Sequence, residues 1–363
     1  MAIFTEDEGM HYEGYCIRPP SESQSILLQV TLGCSHNRCV FCGTYRDKRF
    51  RIKDDRTILS DILYASRHLQ DRDRLFLMDG DALIIPQSRL MWILERIGEH
   101  LPRVKRVGAY ANVKAIRKKT PDELRQLREK NLGILYYGVE TGDDEIRTAI
   151  RKGSTAATCI EMGRRVKQAG ILLSATVLLG IGGRERSIRH ARLTGRLLSA
   201  MDPDFVGALT VMLIPETPLY GDFMSGTFRL PDETGLLAEL REMIAATELT
   251  RGYFFANHAS NYLPVKASYP GGRKQALDRI DGRGIDPVLD PDAARDLLRR
   301  TVDEYQRRAH LGEVRLLADP AATVERLTRS VTGRGPLIQL LENDAIEEVF
   351  VRVGLPYKVV GGT

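Results

Sequence analysis

The strongest constraint on the fold of this chain is the alternation of short apolar runs with segments of helical spacing. The runs cover residues 26–32, 75–78, 104–109, 134–139, 172–179 and 205–213. Segments with apolar residues three and four positions apart lie between them, at 58–69, 90–100, 121–130 and 155–169. Six strands that alternate with helices predict parallel βα units and an α/β fold, built as an open sheet or as a barrel-like arc. In barrels of this kind the loops at the carboxyl ends of the strands form the functional site.

Three cysteines directly follow the first of these runs. Cys34, Cys39 and Cys42 are separated by four and two residues. Three close thiolates can bind three irons of a cubane [4Fe–4S] cluster and leave the fourth iron without a protein ligand. A zinc site completed by His36, or a disulfide with a spare thiol, are the alternatives. Zinc sites usually combine two compact ligand pairs, and no second pair follows here, but the spacing alone leaves the choice open.

Composition limits where such a chain is expected to work. Its 363 residues suit one large or two smaller domains, and 43% hydrophobic and 28% charged residues are ordinary for a soluble globular protein. No apolar run reaches the roughly eighteen residues of a membrane span, and residues 1–9 are acidic and polar, unlike a secretion signal. We therefore expect a cytoplasmic protein with no membrane span, in which the five cysteines stay reduced.

The net charge of +5 is mildly basic, with clusters of basic residues at 46–53 and 117–119. Such clusters are usually solvated surface, and RNA is a less favoured partner.

The cysteine motif, with Phe41 directly before its last cysteine, resembles that of the radical S-adenosylmethionine (SAM) superfamily. The usual motif of that superfamily has three residues between the first two cysteines, and this chain has four. The resemblance covers about residues 25–220, with several motifs in the expected order. It implies a partial (βα)6 TIM-like barrel, a [4Fe–4S] cluster held by Cys34, Cys39 and Cys42, and SAM as the second cofactor.

The resemblance also assigns contacts with SAM to residues that follow the strands. After the second strand, Gly80 and Asp81 would receive the amino group of SAM, although Asp-Gly is also a common turn dipeptide. After the third strand, Asn112 would bond the cofactor or cap a turn.

The fourth strand leads into Gly138-Val139-Glu140-Thr141-Gly142, which matches a superfamily segment closely. The resemblance implies that Glu140 reaches the ribose hydroxyls of SAM and that the basic pair Arg151 and Lys152 meets its carboxylate. The alternatives are a helix cap at Thr141 and a solvent-exposed Arg151.

A glycine-rich turn follows the fifth strand. By resemblance its Ile181 and Gly182 contact the adenine of SAM. A phosphate-binding loop is excluded because no Gly-Lys-Ser/Thr ends the turn.

The pattern changes after the sixth strand. We expect an N-terminal segment at 1–24, the barrel core at 25–230, a mostly helical covering region at 231–320 and a small appended segment at 321–363. Helices are predicted over 231–249 and 292–308. The aromatic and amide-rich residues 253–262 would form a loop over the open barrel end, with His258, Asn261 and Tyr262 as candidate substrate contacts. A hydrogen-bonded histidine without function is the alternative.

Together these features predict an oxygen-sensitive radical SAM enzyme. It would cleave SAM reductively to a 5′-deoxyadenosyl radical and abstract hydrogen from an unidentified substrate, with electrons from a reductant such as flavodoxin or ferredoxin. Cys16 and Cys159 would be inert thiols. The alternatives are an RNA-modifying radical SAM enzyme and a nucleic-acid-binding protein with a structural metal element.

Overall fold

The computed structural model of the protein describes residues 9–14, 16–281, Arg299 and the strand residues 339–341 and 358–360. The helix predicted over 292–308, apart from Arg299, lies outside the described residues. So does most of the appended segment at 321–363, of which Gln339–Leu341 and Lys358–Val360 pair as parallel strands.

The six predicted strands are all present, and they belong to an eight-stranded sheet in the order β1-β4-β5-β6-β7-β8-β9-β10. The strands are β1 (Ile26–Gln29), β4 (Arg74–Met78), β5 (Arg106–Ala111), β6 (Leu132–Glu140), β7 (Leu172–Leu179), β8 (Phe205–Thr210), β9 (Gly252–Ala256) and β10 (Val265–Tyr269). Neighbours pair in parallel from β1 to β9, and β10 is antiparallel to β9. The α/β class is confirmed, and the sheet is open rather than a closed barrel. Two short strands, β2 (Thr31–Leu32) and β3 (Arg51–Ile52), form a separate antiparallel pair around the cysteine segment.

Helices connect the strands. They are α1 (Asp55–His68), α2 (Gln87–His100), α3 (Val113–Arg117), α4 (Pro121–Glu129), α5 (Asp144–Ala149), α6 (Ala156–Gln168), α7 (Gly183–Met201), α8 (Pro218–Met224), α9 (Glu233–Ala245) and α10 (Arg273–Ile280). Local sequence fixes several starts: Asp54 caps α1, and Thr120 forms a capping box with Glu123 ahead of Pro121 in α4. None of the described helices has the length and apolar character needed to cross a membrane.

The two faces of the sheet have different roles. On β6, Leu135, Tyr137 and Val139 point into the main core under the helices. The alternate residues Ile134 and Tyr136 belong to a separate inner cluster with Phe76 and Met78. Burying each large apolar side chain on the helix side contributes about 1.5–3 kcal/mol, so this face holds the fold together. The inner face is left to form a site.

The covering region differs from the prediction. The helix predicted over 231–249 is α9, but residues 252–256 and 265–269 are strands that extend the sheet. Residues 253–256 are therefore not part of a loop. In this strand Phe254 and Ala256 are buried and Tyr253 is exposed. The sequence does not show this alternation because residues 253–255 are all aromatic.

A first prediction concerns the packing of α7 on α9. A Cβ added at Gly195 would lie 2.7 Å from the Cβ of Ala246 and 2.7 Å from the carbonyl oxygen of Met243, so the two helices would have to separate. We expect Gly195→Ala to lower the free energy of unfolding by about 1–3 kcal/mol in urea denaturation.

Gly98 is the matched control, because it is an exposed helical glycine with no atom within 4 Å of an added Cβ. Gly98→Ala should raise the free energy of unfolding by about 0.5–1 kcal/mol through helix propensity. Similar effects of both substitutions would contradict the close approach of α7 and α9.

Candidate functional site

A cavity of about 280 Å³ opens on the inner face, near the carboxyl ends of β4 to β7. It brings together most of the predicted site residues: Cys34, Phe41, Cys39, Cys42, Gly80, Asn112, Glu140 and Lys152 all line it. Residues that the sequence did not single out also line it, among them Tyr45, Tyr110, Lys114, Tyr136 and Thr176. Tyr136, Gly138 and Glu140 alternate along β6, and this period-two spacing is the sequence signal that could have identified Tyr136.

The cysteine loop is held by residues outside the motif. The carboxylate of Asp79, at the end of β4, accepts a 2.9 Å hydrogen bond from the backbone N–H of Gly33, next to Cys34. Arg46 donates from its Nε to the carbonyl of Cys42 at 2.9 Å and from its Nη2 to that of Cys39 at 3.1 Å. The side chain of Asp79 is fully buried and its φ is +80°, a conformation that favours glycine. Asp79 and Arg46 thus position the thiols, and sequence reasoning missed both.

The three cysteines in the cavity are free thiols. Burial raises the pKa of Cys34, and it raises the pKa of Cys39 to about 11, so both stay protonated at neutral pH unless a metal stabilises the thiolate. Among the described residues no three His, Cys, Asp or Glu side chains converge on one metal ion. A cubane cluster needs no such convergence because each thiolate binds a different iron. His36 instead bonds the carbonyl of Arg151 through Nε2 at 2.7 Å. This donor set fits a cluster better than it fits a single zinc ion.

The turn after β4 packs closely against the first cysteine. A Cβ at Gly80 would lie 2.9 Å from the Cβ of Cys34 and 2.7 Å from the Cε2 of Tyr45, so only glycine allows this approach. Asp81 is fully buried and does not line the cavity. Its Oδ2 accepts hydrogen bonds from Ser35 and, at 2.8 Å, from the Nδ2 of Asn112, while its Oδ1 has no hydrogen-bond partner among the described residues. Asp81 therefore orients Asn112, which does line the cavity.

The side chain of Asn112 caps a helix and also contacts Asp81. Its Oδ1 accepts the backbone N–H of Ala115 at 2.9 Å and so caps α3, while its Nδ2 donates to Asp81. These two bonds fix the side chain at the cavity wall.

A buried ion pair forms another part of the cavity wall. The Nζ of Lys152 lies 2.6 Å from the Oε1 of Glu140, and their side chains are only 12% and 9% exposed. Burial disfavours the charge on Lys152, but the Glu140 carboxylate and Cys39 outweigh it and hold the pKa of Lys152 above its ordinary value. A Cβ at Gly138 would lie 2.6 Å from Glu140 Oε1, so glycine leaves room for the pair. Arg151, by contrast, is exposed and outside the cavity lining.

Glu140 also has a left-handed backbone, with φ of +64°, at a register shift between β6 and β7. Asp79 and Arg151 share this conformation. Non-glycine residues of this kind cost about 1–3 kcal/mol each and concentrate at functional sites.

A buried polar network supports the ends of β6 and β7. The Nδ1 of His190 lies 2.8 Å from the hydroxyl of Thr141, and its Nε2 lies 3.0 Å from the carbonyl of Leu178 and 3.4 Å from Glu239. Glu239 accepts from the N–H of Gly180 at 2.6 Å and from the hydroxyl of Ser187 at 2.5 Å. Burial lowers the pKa of His190 to about 4 and raises that of Glu239 to about 7. The network ties Thr141, next to Glu140, to α7 and α9.

The predicted adenine turn does not line the cavity. Ile181 is buried in a second apolar cluster, which also holds Val40 and, at its margin, the cavity residue Phe41. Gly182 directly precedes α7, and a Cβ added there would lie 2.9 Å from the Cδ1 of Ile146.

The three candidate substrate contacts after β9 also lie outside the cavity lining. Asn261 is buried; its Nδ2 donates to the carbonyl of Ala208 at 2.7 Å and its Oδ1 accepts from Thr210 at 2.9 Å. His258 Nδ1 lies 2.8 Å from the hydroxyl of Ser260, and Tyr262 packs half-buried against the main core. In this structure these contacts hold the loop to the end of β8.

Comparison with known proteins finds a family that part of the core resembles. Residues 28–193 match the family model of the Radical SAM superfamily. No curated protein matched the chain.

Among solved structures, methylornithine synthase (PylB) is 20% identical, with 62% of this chain and 63% of that chain covered and a TM-score of 0.45. The radical SAM methyltransferase TsrM from Kitasatospora setae, with cobalamin and a [4Fe–4S] cluster bound, is 16% identical, with 70% and 43% covered and a TM-score of 0.45. The radical SAM enzyme coproporphyrinogen III oxidase (HemN) from Escherichia coli is 12% identical, with 85% and 89% covered and a TM-score of 0.43. The match spans less than two thirds of PylB and of TsrM.

A second prediction follows from the buried network. Because the pKa of Glu239 is raised from 4.5 to about 7, its contribution to stability is full below pH 4.5 and is lost as the pH rises to about 7. Glu239→Gln removes this loss. We expect the stability of the variant, relative to the natural chain, to increase between those pH values by up to about 3 kcal/mol, since each pH unit corresponds to about 1.4 kcal/mol.

Urea denaturation at a series of pH values measures this difference. Glu242→Gln is the control on the same helix, since Glu242 is partly exposed and pairs with Arg192 at 2.8 Å. Its pH profile should parallel that of the natural chain. Parallel profiles for Glu239→Gln as well would show that Glu239 does not titrate in this range.

Proposed function

We propose that this chain, whose residues 28–193 match the family model of the Radical SAM superfamily, is an enzyme that binds a [4Fe–4S] cluster through Cys34, Cys39 and Cys42 and binds SAM beside it. Three free thiols that share one cavity with the Glu140–Lys152 pair support this function most directly. Bound together, the two cofactors would supply one-electron cleavage of SAM to methionine and a 5′-deoxyadenosyl radical, which takes hydrogen from an unactivated C–H bond of the substrate. The chain itself would bind and orient the cofactors and the substrate and would exclude water from them.

The cysteine loop is prepared for the cluster by its supports. Asp79 holds the backbone before Cys34, and Arg46 holds the carbonyls of Cys39 and Cys42. Metal binding would release the protons of Cys34 and Cys39, because burial otherwise disfavours their thiolates.

We assign the SAM contacts to the cavity walls. Lys152 would pair with the carboxylate of SAM and Glu140 with its ribose hydroxyls, while the carbonyl of Gly80 and the side chain of Asn112 would meet its amino group. Asp81 acts through Asn112, which it orients. We favour Lys152 over Arg151 because the side chain of Arg151 is exposed.

The remaining assignments follow from position in the chain. Phe41 would pack against the cofactor, and Ile181 and Gly182 would border its adenine from the adjoining apolar cluster. His258, Asn261 and Tyr262 stay candidates for substrate contact beside the end of β8. We place the reaction in the cytoplasm, with flavodoxin or ferredoxin as the electron donor.

A third prediction tests the cluster. Anaerobic reconstitution should give a brown protein with about four irons per chain, and Cys34→Ala, Cys39→Ala or Cys42→Ala should abolish the brown absorbance because each thiolate binds one iron. Iron analysis and the visible spectrum measure the outcome.

Cys16→Ala and Cys159→Ala are the controls, since neither of these cysteines lines the cavity. Both should retain the cluster. A cluster that persists in Cys39→Ala would disprove the assignment of these ligands.

A fourth prediction tests the SAM site. Glu140→Ala should leave the cluster intact and weaken SAM binding by about 1–3 kcal/mol, the usual cost of losing a buried hydrogen bond to a charged group. Isothermal titration calorimetry of the reconstituted protein measures the affinity.

Glu145→Ala is the matched control, because Glu145 pairs with Arg189 on the surface of α5 at 2.7 Å, outside the cavity lining. It should bind SAM as the natural chain does. Unchanged SAM affinity in Glu140→Ala would leave Glu140 with a purely structural role at the end of β6.

A further inference from the structure

A row of small residues leads from the cavity across the inner face of the sheet. Gly138 pairs with Thr176, Thr176 with Gly207, Gly207 with Phe255, and Phe255 with Lys266. Residues paired in this way point to the same face. Gly138 and Thr176 line the cavity, and a Cβ added at Gly207 would meet no atom nearer than 3.9 Å. The row is therefore an open trough that starts at the cysteine site.

The trough is not filled by the core. Its next row continues through Ser174, Phe205, Tyr253 and Ser268, whose side chains are half-buried or exposed. On the opposite face of the same strands, residues such as Phe254 are fully buried. The inner face of β7 to β10 is thus accessible along its width.

An aromatic surface with a cation ends the trough. The rings of Tyr253 and Phe255 stack with centroids 5.6 Å apart, and Phe205 lies 6.4 Å from Tyr253 on the other side. The Nζ of Lys266 lies 5.0 Å from the ring centre of Tyr253 and 5.7 Å from that of Phe255. These contacts hold the ammonium group in place. We call Tyr253, Phe255 and Lys266 the Lys266 platform.

The ammonium of Lys266 has no acidic partner within the part of the chain that the structure describes. Other lysines of the chain have acidic partners: Lys152 pairs with Glu140, and Lys274 pairs with Asp278. A fixed cation without a counter-ion, at the end of an open trough, favours a negatively charged ligand.

We propose that the Lys266 platform binds the carboxylate or phosphate of an elongated small-molecule substrate whose reacting carbon lies in the cysteine cavity. Three strand spacings of about 4.8 Å separate the backbones of Thr176 and Lys266, which therefore lie at most about 14 Å apart. The floor of small residues accommodates the body of the molecule, and the stacked rings favour a planar apolar part next to the anion. The position of the reacting carbon rests on the proposed function, but the anion site does not.

The binding test uses the full chain without cofactors. The probes are 1-naphthyl phosphate, 1-naphthoate and the neutral 1-naphthalenemethanol, with affinities measured by ligand-observed NMR. The natural chain should bind at least one anion more tightly than the neutral probe, and the preferred anion distinguishes phosphate from carboxylate. Lys266→Gln should lower the affinity for that anion by about tenfold, as expected for the loss of one charge-assisted contact. The affinity for the neutral probe should stay unchanged.

Two further variants separate the site from general effects. Lys274→Gln is the charge control, because the side chain of Lys274 is 89% exposed, and it should bind all probes normally. Gly207→Ala should narrow the trough, since its Cβ would meet no atom nearer than 3.9 Å. It should weaken the binding of both naphthyl anions, and its thermal melting should match that of the natural chain. Equal anion binding by Lys266→Gln and the natural chain would overturn the proposal. So would Lys266-dependent binding of a single-stranded RNA oligonucleotide when no naphthyl anion binds.

Failure of the proposed function gives a different result. A chain that takes up no iron and binds no SAM, yet binds an anion through Lys266, would retain the anion site and lose the radical chemistry. A chain that binds cluster and SAM but no anion would retain the radical chemistry and lose the platform.

Discussion

Parallel pairing is the constraint on which the rest of the structure depends. Because neighbouring strands from β1 to β9 run in the same direction, their carboxyl ends meet at one edge of the sheet. Residues far apart in sequence, such as Cys34, Gly80 and Glu140, thereby share one cavity. The left-handed residues Asp79 and Glu140 lie at this edge, where the stability of the core beneath them offsets their strain.

Local patterns in the sequence were sufficient for much of this arrangement. Apolar runs that alternate with segments of helical spacing predict the six strands, and the short cysteine spacing predicts thiols on one loop. Long-range contacts were beyond such patterns. Asp79 bonds Gly33 across 46 positions, and nothing near either residue specifies that partner. Ile181 shows a related limit, since a glycine-rich turn predicts close backbone approach without specifying what approaches. In this structure the neighbours of Ile181 are apolar side chains.

The cysteine cavity and the Lys266 platform lie on different strands of the same sheet. The cysteine cavity uses β4 to β7, and the Lys266 platform uses β9 and β10, which the sequence patterns did not predict as strands. Only the backbone of Gly207 on β8 lies between Thr176 and Phe255 in the connecting row. Recognition of one end of a molecule and reaction at its other end can therefore be supported by separate elements of one rigid sheet.

Because His190 and Glu239 are both buried, the scaffold beneath the site has two opposing responses to acid. As the pH falls from 6.5 toward 4, His190 lowers the free energy of unfolding, because its imidazole is protonated in the unfolded chain and stays neutral in the folded chain. Over much of the same range the raised pKa of Glu239 restores stability, because the buried carboxyl accepts a proton more readily than in the unfolded chain. The two changes oppose each other within one 3.4 Å contact. The stability of the strand ends that carry Glu140 and Gly180 thus depends on two opposing protonation equilibria rather than on a fixed charge.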